Sequence, residues 1–128
     1  MSYIKSYKEL IVWQKSIELV KEIYILTSKF PKSEMYGIIS QMRRAVVSIP
    51  SNIAEGYGRK SVKEYGQFYA IAYGSALELE TQVIISGQLE FVSKSEFIKV
   101  DKLLEEVSRM LNSMSYKIKK LNVRHYFN

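Results

Sequence analysis

Two clusters of basic residues could bind phosphate groups. Arginine and lysine neutralise phosphates, and they are the usual source of affinity for nucleic acids. The first cluster surrounds a proline-containing segment and the loop after it, and the second lies in a stretch near the C-terminus that has no acidic residue from Lys117 to Asn128. The predicted phosphate-binding residues are Arg44, Arg59, Lys60, Lys63, Arg109, Lys117, Lys119, Lys120 and Arg124.

A simpler explanation accounts for part of the second cluster. Cations in the last turn of a helix complement the helix dipole and contribute about 0.3 to 1 kcal/mol each. The positive charges near the C-terminus exceed what one helix end requires. We therefore interpret the clusters as a surface for a polyanion, RNA or DNA, which binds with little sequence specificity.

A lane of small and polar residues on the second predicted helix indicates a structural network. Its members and the residues expected beside them are Gln41, Arg43, Ser48, Pro50, Asn52, Glu55 and Glu80. Arg43 falls among apolar positions, where a guanidinium needs a carboxylate, and helical spacing makes Glu80 the candidate partner. A buried polar network more often fixes the register of helices or subunits than performs chemistry, so we favour the structural interpretation.

The residues that a metal-dependent or nucleophilic enzyme would need are missing from the sequence. The chain has no cysteine, and its single histidine is His125. A di-iron site in a helix bundle needs two Glu-x-x-His pairs, so that site is excluded. No Gly-x-Ser-x-Gly motif or phosphate-binding glycine loop occurs, and Gly56-Tyr57-Gly58 fits the end of a helix. We expect no catalytic residue, no metal and no cofactor.

Length and composition indicate one domain. The chain has 128 residues, a mass of 14.9 kDa, a net charge of +6 and a sequence pI of 9.4, and a chain of this length can bury its own core. The N-terminus is too polar for a signal peptide, and no apolar run approaches the roughly 20 residues of a membrane span. We expect a cytoplasmic protein with no membrane partner. The charge favours a polyanionic partner, although many basic domains are merely soluble.

Helical periodicity predicts an all-α, antiparallel up-and-down four-helix bundle over residues 1–128. Ser-x-x-Glu capping boxes begin at Ser6, Ser61 and Ser93, and Ser33 is a further predicted cap after Pro31. The predicted helices lie near residues 7–29, 33–56, 62–88 and 94–121, and a short C-terminal tail follows. Their short connections favour antiparallel neighbours.

An apolar stripe on the second helix passes through Pro50. The stripe consists of Met35, Ile39, Met42, Val46, Ile49 and Ile53. A proline in a helix interior removes one hydrogen bond and costs roughly 3 kcal/mol. We expect Pro50 to bend the helix and to shape the surface around Arg44 and Asn52.

The third and fourth helices carry the remaining predicted core stripes. Those on the third helix are Tyr65, Phe68, Ala72, Ala76, Leu79 and Val83, and those on the fourth are Val100, Leu104, Val107, Leu111, Met114, Ile118 and Leu121. Gly66 and Gly74 lie beside or behind the third-helix stripe. Such small residues let helix backbones approach closely.

The first helix has a wider apolar surface than one bundle core requires. One face consists of Leu10, Trp13, Ile17, Val20 and Tyr24, and it is widened by Val12, Leu19, Ile23 and Leu26. Together they cover about 160° of the helix, compared with the roughly 100° of an ordinary bundle helix. Either both neighbouring helices of the same chain cover this arc or a second subunit does. We favour subunit contact, because exposed apolar patches of this extent are unusual in monomers.

The segment from Gln41 to Arg59, QMRRAVVSIPSNIAEGYGR, resembles the signature of the small four-helix-bundle proteins encoded by intervening sequences in bacterial 23S rRNA genes. The likeness extends to residues 10–19, 30–37 and 72–80. Members of that family look like ring-shaped homopentamers. Some relatives, the accessory proteins of diversity-generating retroelements, look like proteins that bind nucleic acids and reverse transcriptases. The resemblance therefore implies a homopentameric bundle with a connection to rRNA and a reverse transcriptase, or another protein, as a candidate partner.

These features together predict a non-catalytic homo-oligomer that binds RNA or DNA through a repeated basic surface. The alternative is a protein–protein interaction scaffold that binds no nucleic acid and whose positive charge serves solubility. The salt dependence of binding distinguishes the two, because only phosphate contacts release counterions.

Overall fold

The chain forms an all-α four-helix bundle in a computed structural model that describes residues 5–127, with side chains described for residues 5–121. The helices are α1 (Ile11–Thr27), α2 (Ser40–Tyr57), α3 (Val62–Gln88) and α4 (Ile98–Phe127). Short 3₁₀ turns at Tyr7–Glu9 and Lys94–Phe97 precede α1 and α4. Residues 5–127 contain no strand, so the predicted fold class is confirmed.

Each helix packs against two neighbours, in the cyclic order α1, α2, α3, α4. Consecutive helices run antiparallel, as their short connections require. One end of the bundle therefore holds the start of α1, the loop between α2 and α3, and the last turns of α4; we call it the α2–α3 end. The other holds the connections from α1 to α2 and from α3 to α4; we call it the α1–α2 end.

The predicted stripes of α2, α3 and α4 form most of the core. Of the α2 stripe, Ile39, Met42, Val46, Ile49 and Ile53 are buried, as are Val100, Leu104, Val107, Leu111 and Ile118 of the α4 stripe. Met35 and Leu121 are exposed instead. Met35 lies before the regular part of α2, where the helical period no longer fixes which face a residue occupies.

The core face of α1 differs from the predicted one. Val12, Leu19, Ile23 and Leu26 are buried, whereas Ile17 is 42% exposed. Tyr24, on the same predicted face as Ile17, is also 42% exposed. The four residues expected only to widen the apolar arc therefore face the core. Ile17 and Tyr24, expected on the main apolar face, lie at the edge of the bundle. Periodicity identified two apolar faces but not which one meets the core, because that choice depends on α2 and α4.

The helix boundaries depart from the predictions at two places. The segment predicted to begin α2 forms a 3₁₀ turn at Lys32–Glu34 and a π-helical turn at Met35–Ile39. Gly37 interrupts this turn with a non-helical backbone (φ −111°, ψ −115°). The predicted C-terminal tail is instead part of α4, which continues to Phe127.

The predicted serine caps also differ in outcome. The hydroxyl of Ser61 accepts a hydrogen bond from the Glu64 amide at 3.1 Å, as predicted for the start of α3. Ser6 caps the short turn before α1, where its hydroxyl accepts from the Lys8 amide. Ser93 makes no side-chain cap bond, so that prediction is wrong. Ser33 lies inside the 3₁₀ turn Lys32–Glu34 rather than capping a helix.

Close approach of α3 to α4 depends on a glycine. A Cβ atom at Gly66 would lie 2.8 Å from Cγ2 of Ile118, which is shorter than a normal contact. Gly74 has nothing within 4 Å of the same position, so it has no packing role of this kind. The sequence predicted that small residues on α3 let a neighbouring helix approach closely, and Gly66 is the residue at which α4 does so.

Pro50 is buried inside α2, which continues as one helix from Ser40 to Tyr57. Two side chains after the proline bond to carbonyls before it. The Ser51 hydroxyl donates to the Val47 carbonyl, and the Asn52 amide donates to the Ser48 carbonyl, each at 2.8 Å. These bonds add polar contacts in the turn where proline removes a backbone donor. The predicted bend itself stays a prediction.

Candidate nucleic-acid interface

The two basic clusters of the sequence meet at the α2–α3 end. The close contact of Gly66 with Ile118 places the start of α3 beside the last turns of α4. The rings of Tyr7 and Tyr57 lie 6.5 Å apart, so the segment before α1 reaches the end of α2. The antiparallel fold thus brings three segments that are far apart in sequence to one surface.

The charge at this end is predominantly positive. Its exposed cations are Lys5, Lys8, Arg59, Lys60, Lys63, Lys117, Lys119 and Lys120, and its carboxylates are Glu9, Glu55 and Glu64. Among residues 5–121, none of these cations lies within 4.0 Å of a carboxylate oxygen. We call these eight cations the basic surface. Their charges are therefore available to an external anion.

Aromatic rings lie beneath two of these cations. The guanidinium carbon of Arg59 is 4.6 Å from the centroid of the Phe68 ring, and Nζ of Lys120 is 5.3 Å from that of Tyr116. A cation held over a ring keeps its charge exposed while its position is restricted. The Tyr116 ring is itself 62% exposed, which leaves a face on which an unpaired base can stack.

Three predicted phosphate-binding residues are not part of this surface as described. Arg44 lies in a groove between α1 and α2, nearer the opposite end. Arg109 lies in the middle of α4, where it lines a groove with Lys117, but its guanidinium is 3.4 Å from the Glu105 carboxylate. The side chain of Arg124 is outside the described residues. Local clustering therefore grouped Arg59 with cations that the fold also places near it, but it joined to them Arg44, which lies in a different groove.

Two cations were missed by the sequence analysis. Lys5 and Lys8 lie before α1 and outside both clusters. The capping serine at Ser6 was the available signal, because it places these lysines at the start of α1. In an up-and-down bundle the start of the first helix lies beside the end of the fourth, where the C-terminal lysines are.

Part of the predicted polar network connects α2 to α3. The Ser75 hydroxyl donates to the Ser48 hydroxyl at 2.9 Å, and the Asn52 amide donates to the same oxygen at 2.9 Å. Gln41 and Glu55 are exposed, and no hydrogen bond joins either side chain to this group within residues 5–121. Ser48 and Asn52 therefore fix the contact of two helices, as the structural interpretation predicted, with Ser75 as the partner.

Arg43 does not pair with Glu80 within the chain, so the predicted contact between α2 and α3 is wrong. Nε of Arg43 donates to the Thr27 hydroxyl at 3.0 Å, and its guanidinium carbon lies 4.5 Å from the centroid of the Tyr24 ring. Both partners are on α1, whereas Glu80 is exposed in a groove between α3 and α4. Helical spacing gave the face of each residue but not the order of the helices, and that order separates the two.

A comparison with known protein families identifies the chain. The family model described as "23S rRNA-intervening sequence protein" matches residues 8–113. The chain belongs to this family. The match includes the α2–α3 loop with Arg59 and Lys60, and it ends before Lys117, so the last three lysines of the basic surface lie beyond it.

A solved structure supports the fold of this family member. It is the 1.70 Å crystal structure of a protein with unknown function from the S23 ribosomal protein family of Bacteroides thetaiotaomicron VPI-5482. The two chains are 22% identical, with a TM-score of 0.76 over 82% of this chain and 98% of the other. No curated protein matches the chain. At this identity the likeness supports the four-helix fold alone.

Three of the groups whose side chains the structure describes have clearly shifted pKa values. Burial raises the pKa of the Tyr69 hydroxyl, and burial also raises the pKa of Asp101. A hydrogen bond from Lys15 to Glu106, at 3.0 Å, raises the pKa of the lysine. Within the described residues, no group of histidine, aspartate and glutamate side chains could hold a metal ion. No described helix is long and apolar enough to cross a membrane.

Proposed function

We propose that this 23S rRNA-intervening sequence protein is a non-catalytic homo-oligomer that binds RNA or DNA through its α2–α3 end. The observation that supports the proposal is the basic surface, whose exposed cations lie together without an ion-pair partner among the described residues. Each cation that contacts a phosphate releases a counterion, which supplies affinity for any polyanionic strand.

Low sequence specificity follows from the kind of contact. The cations project from a loop, a short N-terminal segment and a helix end, and phosphate contacts carry no sequence information directly. Stacking of a base on Tyr116 would add affinity for unpaired strands, since every base has a face that can stack. We therefore expect single-stranded and looped RNA to bind at least as well as duplex DNA.

The homo-oligomer rests on apolar side chains that the bundle leaves uncovered. Ile17 and Tyr24 of α1 are both 42% exposed, and exposed apolar surface favours contact with another subunit. The resemblance to ring-shaped relatives adds five as the expected number of subunits. Repetition of the basic surface in such an assembly would strengthen binding to a long strand, because each further contact is intramolecular. A cytoplasmic location remains part of this proposal.

The same exposed apolar side chains also favour a second candidate. In it, the protein is an interaction scaffold for another protein, such as a reverse transcriptase, and binds no nucleic acid. Its positive charge then serves solubility. This candidate predicts no salt-dependent affinity for RNA.

Titration of labelled mixed-sequence RNA and DNA with the protein, over a range of salt concentrations, tests the proposal. If three phosphates are contacted, the affinity for single-stranded RNA should fall roughly 20-fold between about 50 and 200 mM salt. Mixed and homopolymer sequences should give similar affinities. Absence of binding at the lowest salt concentration would contradict nucleic-acid binding and favour the scaffold.

A further inference from the structure

The groove between α1 and α2 carries both apolar and positive side chains. Tyr24, Met35 and Val47 line it with about two-fifths of each side chain exposed, and Arg43 and Arg44 lie beside them. Within residues 5–121, neither arginine has a carboxylate oxygen within 4.0 Å. We call this surface the basic groove.

Tyr36 is the most prominent side chain of the basic groove. It is 97% exposed, and it lies in the π-helical turn that the non-helical backbone of Gly37 interrupts. A tyrosine has a large apolar ring and a polar tip, which suits it to enter a recess with a wet rim. Such complete exposure leaves most of the ring without contacts in its own chain.

The groove between α3 and α4 carries apolar and negative side chains. Tyr73 and Leu77 line it, together with Glu80, Asp101 and Glu105, and its volume is about 510 Å³. Arg109 also lines the groove and pairs with Glu105, which leaves Glu80 and Asp101 as its net negative charge. Neither Glu80 nor Asp101 has a cation within 4.0 Å among the described residues. Asp101 is exposed, and its partial burial raises its pKa. We call this surface the acidic groove.

The two grooves lie on opposite sides of the bundle and in the same half of it. The cyclic order of the helices separates the α1–α2 side from the α3–α4 side. Arg43 and Arg44 are in the first turns of α2, and Asp101 and Glu105 are in the first turns of α4. Both helices start at the α1–α2 end, so the two grooves are at similar heights along the bundle.

We propose that the basic groove of one copy packs against the acidic groove of the next, with Tyr36 of the first copy entering the acidic groove. Charge complementarity selects this occupant, because arginines without a carboxylate partner meet carboxylates without a cation partner around matching apolar centres. This inference rests on the proposed homo-oligomer and assigns its interface. It is a heterologous contact, which forms a ring if the rotation between copies closes.

The arrangement has a consequence for nucleic-acid binding. If neighbouring copies pack side by side with their bundles parallel, grooves at similar heights place their α2–α3 ends on the same side of the assembly. The basic surface of each copy then lies beside that of the next. A strand that contacts several copies gains affinity without any new type of contact.

The test uses two variants that each close one groove. Tyr36→Glu adds a negative charge to the basic groove, and Leu77→Arg adds a positive charge to the acidic groove. Both side chains are exposed, at 97% and 43%, so the fold should persist, and circular dichroism checks it. Size-exclusion chromatography with light scattering should report the wild type as an oligomer and each variant alone as a monomer. A mixture of the two variants should reassemble to at least a dimer, because one intact pair of grooves remains and the other pair sets the new glutamate against the new arginine.

A matched control and three contrary results make the test decisive. Ile71→Arg introduces the same charge on α3 at an exposed position outside the acidic groove, and it should leave the oligomer intact. The inference is overturned if either groove variant keeps the size of the wild type. It is also overturned if the mixture stays monomeric, or if the wild type is itself a monomer at micromolar concentration.

RNA affinity of the same proteins separates this inference from the proposed function. If the grooves form the interface, Tyr36→Glu and Leu77→Arg should weaken binding to long RNA by roughly 100-fold or more through lost multivalency. Binding of a very short RNA, which contacts one copy, should be unchanged. An oligomeric wild type that binds RNA, with groove variants that stay assembled, overturns the interface but leaves the proposed function standing. If assembly depends on the grooves but the wild type binds no RNA, the interface stands and the proposed nucleic-acid binding is overturned.

Discussion

The two ends of the bundle both carry lysines, but among residues 5–121 only one end pairs any of its lysines with carboxylates. At the α1–α2 end, Nζ of Lys29 lies 2.7 Å from the Glu96 carboxylate, and Nζ of Lys99 lies 3.5 Å from that of Glu22. At the α2–α3 end, the cations of the basic surface have no such partner among residues 5–121. The number of positive charges is therefore a poor guide to a binding surface. What matters is whether the fold brings carboxylates to them.

This difference also explains where an anion should bind. A paired lysine must give up its carboxylate contact to bind a phosphate, whereas an unpaired one has only water to displace. The comparison therefore predicts that removal of equal charge from the two ends has unequal effects.

The largest expected effect is on nucleic-acid binding. Conversion of Lys117, Lys119 and Lys120 together to glutamine should weaken single-stranded RNA binding roughly 100-fold at about 0.1 M salt, since each lost contact costs about fivefold. The slope of log affinity against log salt should become shallower by about two. Fluorescence anisotropy over a salt series measures both quantities.

The matched control removes the same charge from the other end. Lys29, Lys32 and Lys94 are exposed at the α1–α2 end, where Lys29 is paired with Glu96. Their triple glutamine variant should bind RNA within about threefold of the wild type, because these lysines lie away from the basic surface and only the weak long-range field changes. Equal losses in the two variants would mean that net charge, rather than the basic surface, determines binding.

The next effect tests the packing that assembles the α2–α3 end. Gly66→Ala should lower the free energy of unfolding by about 1 to 2 kcal/mol, because its Cβ atom would lie 2.8 Å from Ile118. Gly74→Ala should instead raise it by up to about 1 kcal/mol, since alanine favours the helix and the site is open. Urea unfolding of both variants measures the contrast. Stabilisation by both substitutions would show that α4 moves away from Gly66 without cost.

Pro50 lies between the two ends, in the middle of α2. Pro50→Ala restores a backbone donor and should raise the free energy of unfolding by about 1 kcal/mol, less than the full helix penalty because the native surroundings already accommodate the ring. If the bend also shapes the surface around Arg44, the size of the oligomer should change. An unchanged size and an unchanged midpoint in thermal unfolding would contradict a role for the bend.

A smaller effect is expected at the α1–α2 end, where Glu90 follows α3 with a left-handed backbone (φ 55°). Glu90→Gly should raise the free energy of unfolding by about 0.5 to 1 kcal/mol, because glycine adopts this conformation without a Cβ clash. Glu90→Ala is the control, since it removes the charge but keeps the clash. Equal gains from the two variants would assign the effect to charge instead.

The smallest effect concerns the ion pairs that distinguish the ends. Lys29 and Glu96 are both partly exposed in their contact, so breaking it by Lys29→Ala should cost no more than about 0.5 kcal/mol. The loss should shrink further at high salt. A measured loss above about 2 kcal/mol in urea unfolding would mean that the pair supports the α1–α2 end more than an exposed ion pair normally can.

Local signals in the sequence determined the fold class and most of the core. Three-and-four spacing placed Ile39, Val46 and Ile53 on one buried face, and Ser61 marked the start of α3. These signals succeed because side chains within two turns of a helix share a face whatever the rest of the chain does. The same locality explains the failure at Met35, where the backbone leaves the regular helix.

The tertiary structure alone decided which charges lie together and which are neutralised. It joined Lys8 to Lys117, moved Arg44 away from them, and gave Arg43 the α1 residues Tyr24 and Thr27 instead of Glu80. The order of helices around the core makes these choices. That order depends on how all four apolar faces pack at once, so no single segment of the sequence contains it.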